Sequence, residues 1–290
     1  MPSPVSRICS TQDLGPYLQR LDAWLRPDQN WSLADEYPGV FGPKSRARHH
    51  LLESGGKLTA HAASLDMEMH VRGKTWRPSL VGSVVVDPNR RGEGLGRRLM
   101  QSLVRDFEQR DRDALALWSD QPEFYAKLGF RSFGKEIHLA VPPNTEGRQG
   151  VRGTLRSAQA RDSEQLLQLH HAKSVHSRRL GTEMQAYLQV PACEFTLLER
   201  EGQVVAYCVI GKGLDFPLFV HEFAGSEHDL EAMFRILASK HRCTLGVLVP
   251  LWRAELIQAF PDAESFTNPL ALGIVRYAPV DAAFDGFDSI

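Results

Sequence analysis

A chain of 290 residues exceeds one small domain and suits two of ordinary size, and with 42% hydrophobic residues it can build cores without staples. With 34 Lys and Arg against 35 Asp and Glu, the net charge of -1 offers no field for nucleic acid or for an anionic membrane. The four cysteines, Cys9, Cys193, Cys208 and Cys243, form no CxxC pair and no regular framework, which excludes a disulfide scaffold and points to free thiols in a reducing compartment.

Residues 1–13 lack the apolar stretch of a signal peptide, and no run reaches the ~18 apolar residues of a spanning helix. A soluble, cytoplasmic protein without membrane or nucleic-acid partners is expected. In chain order, residues 12–25 read as a helix. Residues 51–60 (LLESGGKLTA) then read as strand, glycine turn, strand. The same pattern returns at 197–206 (LLEREGQVVA), again after a helical stretch, 162–173, in which Asp162 or Ser163 can cap and Leu166, Leu167 and His170 recur at helical spacing. Residues 142–150 (PPNTEGRQG) lack periodicity and read as a linker. The chain therefore divides into two related halves, 1–145 and 146–290.

Within the first half, residues 65–71 alternate as a half-buried strand with Asp66, Glu68 and His70 on its polar face, and 72–75 form a turn. Residues 79–86 (SLVGSVVV) form a more continuously apolar strand, as one covered on both faces does. Asp87-Pro88 ends it. Arg90-Arg-Gly-Glu-Gly-Leu-Gly-Arg-Arg98 follows, and Leu95, Leu99, Met100, Leu103, Val104 and Phe107 line one face of a helix. Strand, glycine-rich loop and helix in this order make an anion site. The glycines at 92, 94 and 96 bring backbone N–H groups close to a ligand, the helix start adds unpaired donors and partial positive charge, and Arg90, Arg91, Arg97 and Arg98 can bind phosphate oxygens. A Walker loop would end Gly-Lys-Ser/Thr, and a dinucleotide fingerprint needs a glycine where Arg97 or Leu99 stands. Neither fits.

Residues 84–99 (VVVDPNRRGEGLGRRL) resemble motif A of the GNAT superfamily of N-acetyltransferases, whose Gln/Arg-x-x-Gly-x-Gly/Ala is matched by Arg91, Gly94 and Gly96. The stretch 114–120 (ALALWSD), followed by 122–130 (PEFYAKLGF), resembles the family's later strand and its Phe-Tyr-x-x-x-Gly-Phe helix end. The resemblance implies an α/β (α+β) fold of two tandem GNAT-like domains, each a mixed, mainly antiparallel sheet flanked by helices. It implies acetyl-CoA as acyl donor, with Val84, Val85 and Val86 along the pantetheine arm and Arg91, Gly92, Glu93, Gly94, Leu95, Gly96 and Arg97 around the pyrophosphate. The activity implied is transfer of acetyl to a primary amine, of a small molecule or a protein, by direct attack. Tyr125 stands at the family's acid position, and a backbone N–H of residues 84–86 would meet the oxyanion. Residues 79–86 hold no acid or histidine, so the base stays open between Glu68, with Asp66 and His70 beside it and Ser119 or Asp120 as holders of water, and a water chain to bulk solvent. The family resemblance also makes a homodimer reasonable. A binding module that senses acetyl-CoA is the alternative; it would need the loop but not Tyr125.

The second half has no such loop. Its helix start carries Glu227, Asp229 and Glu231, which repel phosphate, and no Tyr-x-x-x-Gly-Phe follows, so it reads as a degenerate copy that shapes the acceptor pocket or supports folding. His221-Glu222 lacks the second histidine of a zinc protease, and the pairs His49-His50 and His170-His171 lack ligand spacing, so no metal is expected. On a strand His221 and Glu222 face opposite ways, which leaves Glu222 as a group that could face an acceptor amine. The segment 281–290, with Phe284 and Phe287 among acids, docks or stays mobile.

Overall fold

A computed structural model describes residues 4–143 and 151–290, so the expected linker lies, from Asn144 on, outside the described residues. The strands are β1 (Val5–Ser10), β2 (Arg48–Ser54), β3 (Lys57–Asp66), β4 (Met69–Val71), β5 (Lys74–Trp76), β6 (Pro78–Val86), β7 (Ala114–Leu117), β8 (Arg131–Phe133) and β9 (Glu136–Val141) in the first half. The second half adds β10 (Thr154–Ser157), β11 (Val175–Ser177), β12 (Glu194–Arg200), β13 (Gln203–Lys212), β14 (Asp215–Ala224), β15 (Leu245–Pro250), β16 (Glu264–Asn268) and β17 (Ala271–Val275). The helices are α1 (Gly15–Leu25), α2 (Leu33–Glu36), α3 (Pro38–Phe41), α4 (Leu95–Glu108), α5 (Pro122–Ala126), α6 (Ser163–His171), α7 (Gly181–Tyr187) and α8 (Glu227–His241).

Two seven-stranded sheets result, in the orders β1-β2-β3-β6-β7-β17-β8 and β10-β12-β13-β14-β15-β9-β16. Each is antiparallel except at one central pair, β6–β7 in the first and β14–β15 in the second. The fold is mixed α/β, as expected. The halves are nonetheless not self-contained, because each sheet holds a strand from the other half. β9 pairs with β15 and β16, and β17 lies between β7 and β8. A small third sheet, β11-β4-β5, ties the halves again, with His176 opposite His70.

The repeated hairpins correspond in length and register. Each pairs a seven-residue strand with a ten-residue one, and each shifts register at the same point, Leu52/Glu53 and Leu198/Glu199. Each hairpin is covered on both faces. In the first half Leu52, Ala60 and Ala62 pack on α4, whereas Leu51 and Ala63 pack with Leu14, Leu21 and Phe41 of the α1–α3 layer. In the second, Leu198, Ala206 and Cys208 meet α8, and Leu197, Tyr207 and Val209 meet α6 and α7. This double covering is why His221 and Glu222, expected to divide between interior and surface, are both buried.

Two local expectations are corrected. The strand read over 65–71 breaks at Met67-Glu68 and resumes as β4 in the third sheet. Asp162 does not cap α6 with its side chain; its carboxylate takes the backbone N–H of Gln159 and the guanidinium of Arg156 instead. The segment 281–290 docks, through Lys173–Asp285 and Arg179–Asp288 ion pairs and through Phe287 stacked on Tyr187 and Phe195. No helix among the described residues is long and apolar enough to cross a membrane.

Candidate active site

β6 and β7 pair in parallel only from Pro78–Ala114 to Leu80–Ala116. Beyond Leu80 they part, and a cavity of about 810 Å³ opens between them. Its walls include Val84, Val86, Arg91 and Gly96 on one side and Trp118, Ser119, Asp120 and Tyr125 on the other. The backbone of β6 meets this gap in a defined phase. Asp87 donates its N–H to Thr59 at 2.9 Å, and His61 stands opposite Val85. Because alternate residues of an antiparallel pair point their amides to the partner, Val85 turns toward β3 and Val84 and Val86 turn toward the gap. Val84 and Val86 thus present N–H and C=O to the cavity, while the Val85 side chain is buried in the core.

The glycine loop ends at the start of α4. Gly94 occupies its N-cap position at φ +75°, and no side chain caps the helix or places an acid in its first turn. An added Cβ at Gly94 would meet nothing within 4 Å, so the glycine is required by backbone conformation and not by space. The first N–H groups of α4 are left for an anion. Among the four arginines of the loop, Arg91 lines the cavity. Arg90 is turned onto Glu93 at 2.6 Å, and Arg98 donates to the Pro4 carbonyl, so these two are not aimed at the cavity. Arg97 is exposed beside the loop, and Leu95 is buried in the core beneath it. Gly96 lies under the cavity floor, with Val86 and Phe124 3.5 and 3.7 Å from where a Cβ would stand.

Tyr125 projects from α5 into the same cavity. Its ring is mostly buried against Phe124 and Phe130. Burial raises its pKa; a hydrogen bond with Ser119 opposes this and the charge of Asp120 adds to it. The phenol is therefore held protonated, as a proton donor must be.

Sequence reasoning allowed the second half to shape the pocket but missed the residues by which it lines this cavity. Asp215 and Phe216 at the start of β14, and Ser289 and Ile290 from the docked segment, complete the cavity. Tyr37 donates its hydroxyl to Asp215, and Leu214 donates its N–H to Glu36 at 2.7 Å, which joins the halves at the rim. Lys212, buried, donates to the Gly286 and Ser289 carbonyls at 3.0 and 2.7 Å and so holds the segment in place. Its pKa falls to about 8, chiefly through burial. The Ile290 carbonyl oxygen stands 1.4 Å from where a Cβ on Gly82 would be, so only glycine fits beneath it. The signal for this was faint: Gly82 interrupts an otherwise apolar strand, where a glycine marks close approach of another backbone.

The structure does not bring Glu68 to this cavity. It lies between β3 and β4, exposed, beside Arg178 at 3.3 Å and in clefts on the other side of the strand. Asp66 is held by Ser79, Arg110 and Arg112, and His70 stacks on His176. Glu222 does not face an acceptor either, because Arg179 at 2.7 Å and Tyr207 at 2.9 Å enclose it. His170, Glu222 and Asp285 place potential metal-ligand atoms within 4.8 Å of one another, but Arg179 and Lys173 already pair with the two carboxylates.

Comparison with known proteins bears on the family and the fold. The family model described as Acetyltransferase (GNAT) domain matches residues 24–133. A histone acetyltransferase of Glycine max and the chloroplastic GCN5-related N-acetyltransferase 2 of Arabidopsis thaliana are each 41% identical over 54 residues, 18% of this chain. Those matches span 23% and 21% of the two proteins, so the chain spans less than a quarter of the curated relatives it matches. Among solved structures, a GCN5-related N-acetyltransferase from Anabaena variabilis aligns with a TM-score of 0.67 at 13% identity, over 94% of this chain and 73% of that one. N-myristoyltransferase of Saccharomyces cerevisiae with bound myristoyl-CoA aligns with a TM-score of 0.57 at 12% identity, over 97% and 86%. At these identities the structural likeness establishes the fold, and it extends over both halves.

Proposed function

We propose that this chain, whose residues 24–133 match the family model described as Acetyltransferase (GNAT) domain, transfers the acetyl group of acetyl-CoA to a primary amine. The observation that carries this reading is the convergence of three elements on one cavity: the uncapped α4 start, the unpaired edge of β6, and the Tyr125 hydroxyl. The N–H groups of residues 92–97 and Arg91 take the pyrophosphate, which the partial positive charge of the helix start favours. Val84 and Val86 pair with the amides of the pantetheine arm as a neighbouring strand would.

The amine nitrogen, after losing a proton, attacks the thioester carbon. The new C–N bond forms, negative charge gathers on the carbonyl oxygen, and a β6 N–H receives it. The C–S bond then breaks and Tyr125 gives its proton to the departing sulfur. Asp120 and Asp215 are the carboxylates that line the cavity, placed to draw in an ammonium group and to take up its proton. They replace Glu68 in that role. Tyr125 separates transfer from mere sensing, since binding alone has no use for a buried phenol at the sulfur.

The test is release of free coenzyme A thiol on mixing acetyl-CoA with a panel of polyamines and peptide amines. Tyr125→Phe is expected to lower turnover by about 10²–10⁴ while leaving acetyl-CoA affinity unchanged. Equal turnover by this variant would remove Tyr125 as the proton donor, whereas binding of acetyl-CoA with no turnover on any amine would refute the transferase reading and favour a sensor.

A further inference from the structure

Two buried histidines lie under the cavity, and the transfer steps leave them unused. His49 and His61 stand on adjacent strands, fully buried, with rings stacked at 5.3 Å under Phe41. His61 Nδ1 is 2.9 Å from the Ser83 carbonyl oxygen, His61 Nε2 is 3.0 Å from His49 Nδ1, and His49 Nε2 is 3.0 Å from the Thr11 hydroxyl.

The direction of this row follows from its end. A carbonyl only accepts, so His61 carries its proton on Nδ1. Both imidazoles are neutral, since burial above all lowers their pKa values, His61 to about 4 and His49 to about 3. A neutral His61 then accepts at Nε2 from His49 Nδ1–H, which leaves His49 Nε2 as an acceptor beside the Thr11 hydroxyl, itself also 3.2 Å from the Val40 carbonyl oxygen. Both imidazole protons in the row point toward Ser83.

Ser83 is the extra residue of a bulge. His61 faces Val85 and Ala63 faces Gly82, so Ala62 alone opposes both Ser83 and Val84. Ser83 takes φ +51°, a left-handed conformation that costs a residue with a Cβ about 1–2 kcal/mol. The peptide that follows is planar and trans, so the Ser83 C=O and the Val84 N–H point in opposite directions. Drawing the carbonyl onto His61 turns the Val84 N–H into the gap where β6 has no partner.

We propose that His61, with its proton position fixed by His49, holds the Ser83–Val84 peptide so that the Val84 N–H receives the thioester oxygen. His61 is a positioning residue, acting through one peptide bond. The hydrogen bond on the carbonyl also polarises the peptide and strengthens the N–H as a donor. A histidine present only for packing would not need a donor row that ends on a strained peptide of the cavity wall. The inference rests on acetyl-CoA binding in this cavity.

The readout is the infrared stretch of the thioester carbonyl in ¹³C-labelled acetyl-CoA bound to the full chain. In the wild type the band is expected to fall on binding, as a hydrogen-bonded carbonyl does. His61→Leu is expected to lose at least about half of that shift, with acetyl-CoA affinity within about threefold and turnover of acetyl-CoA lowered about tenfold, less than the 10²–10³ seen when an oxyanion donor is deleted outright. His61→Asn, whose amide can still donate at the Nδ1 position, is expected to restore most of the shift. Should His61→Leu fail to fold, His49→Leu frees the proton position of His61 and is expected to broaden and reduce the shift. An unchanged band in the variants would overturn the proposal and leave acetyl transfer standing. If the wild type binds no acetyl-CoA, the transfer reading falls and this one with it.

Discussion

The two halves start from the same hairpin and differ at the helix that follows, and the difference shows what the proposed cofactor site would require of this fold. At the helix that follows the central strand, α4 begins on Gly94 with no side-chain cap, whereas α8 begins on Ser226, whose hydroxyl accepts the Asp229 N–H at 3.2 Å. Glu227 and Asp229 sit in the first turn of α8, and Asp229 also holds Arg200. The second helix has satisfied its own donors and its own dipole. The central strands do not supply the difference, because both pairs part: β6 is paired with β7 only as far as Leu80, and β14 with β15 only at Phe219 and Val220. Where the first hairpin places His61, the second places Tyr207, which donates to Glu222 at 2.9 Å. The contrast lies at the helix starts, where one half leaves backbone donors for a ligand and the other has capped its own; His61 and Tyr207 are both paired internally.

The sharpest way to strain this comparison is Arg179→Met. Arg179 lies between Glu222 at 2.7 Å and Asp288 at 2.9 Å, all three buried. Its loss leaves two carboxylates without their cation, and denaturant unfolding is expected to show a loss of about 3–5 kcal/mol. The docked segment that carries Ile290 to Gly82 should loosen as well, because Asp288 anchors it. A loss below about 1 kcal/mol would mean that the second half is not held by its internal ion pairs.

A smaller effect sharpens the contrast between the helix starts. Ser226→Ala is expected to cost about 1 kcal/mol of stability, the ordinary worth of an N-cap. Acetyl-CoA affinity should be unaffected. A change in that affinity would show that the two helix starts are coupled and that the second half takes part in holding the cofactor.

Much of the first site was legible because it is local. The loop 90–98 carries its glycines and arginines in one run, and α4 follows with its apolar face intact. The hairpin repeat was equally legible, although the register shift that both copies share was not. The exchange of β9 and β17 was not, since a short apolar strand reads the same whichever sheet receives it. Glu68 was placed on a continuous strand by alternation alone, and alternation does not reveal that the strand breaks at Met67. The contributions of Asp215, Ser289 and Ile290 arise from contacts across the chain, between residues about 130–200 positions apart, for which sequence spacing holds no signal.

Whether one half binds the cofactor and the other cannot is tested most directly by calorimetric titration of the whole chain with acetyl-CoA, in wild type and in Gly94→Trp. One molecule bound per chain is expected, with binding abolished by the substitution, since a bulky residue is forced into a left-handed N-cap where the phosphates sit. Two molecules per chain, or binding that survives Gly94→Trp, would contradict the division of labour between the halves.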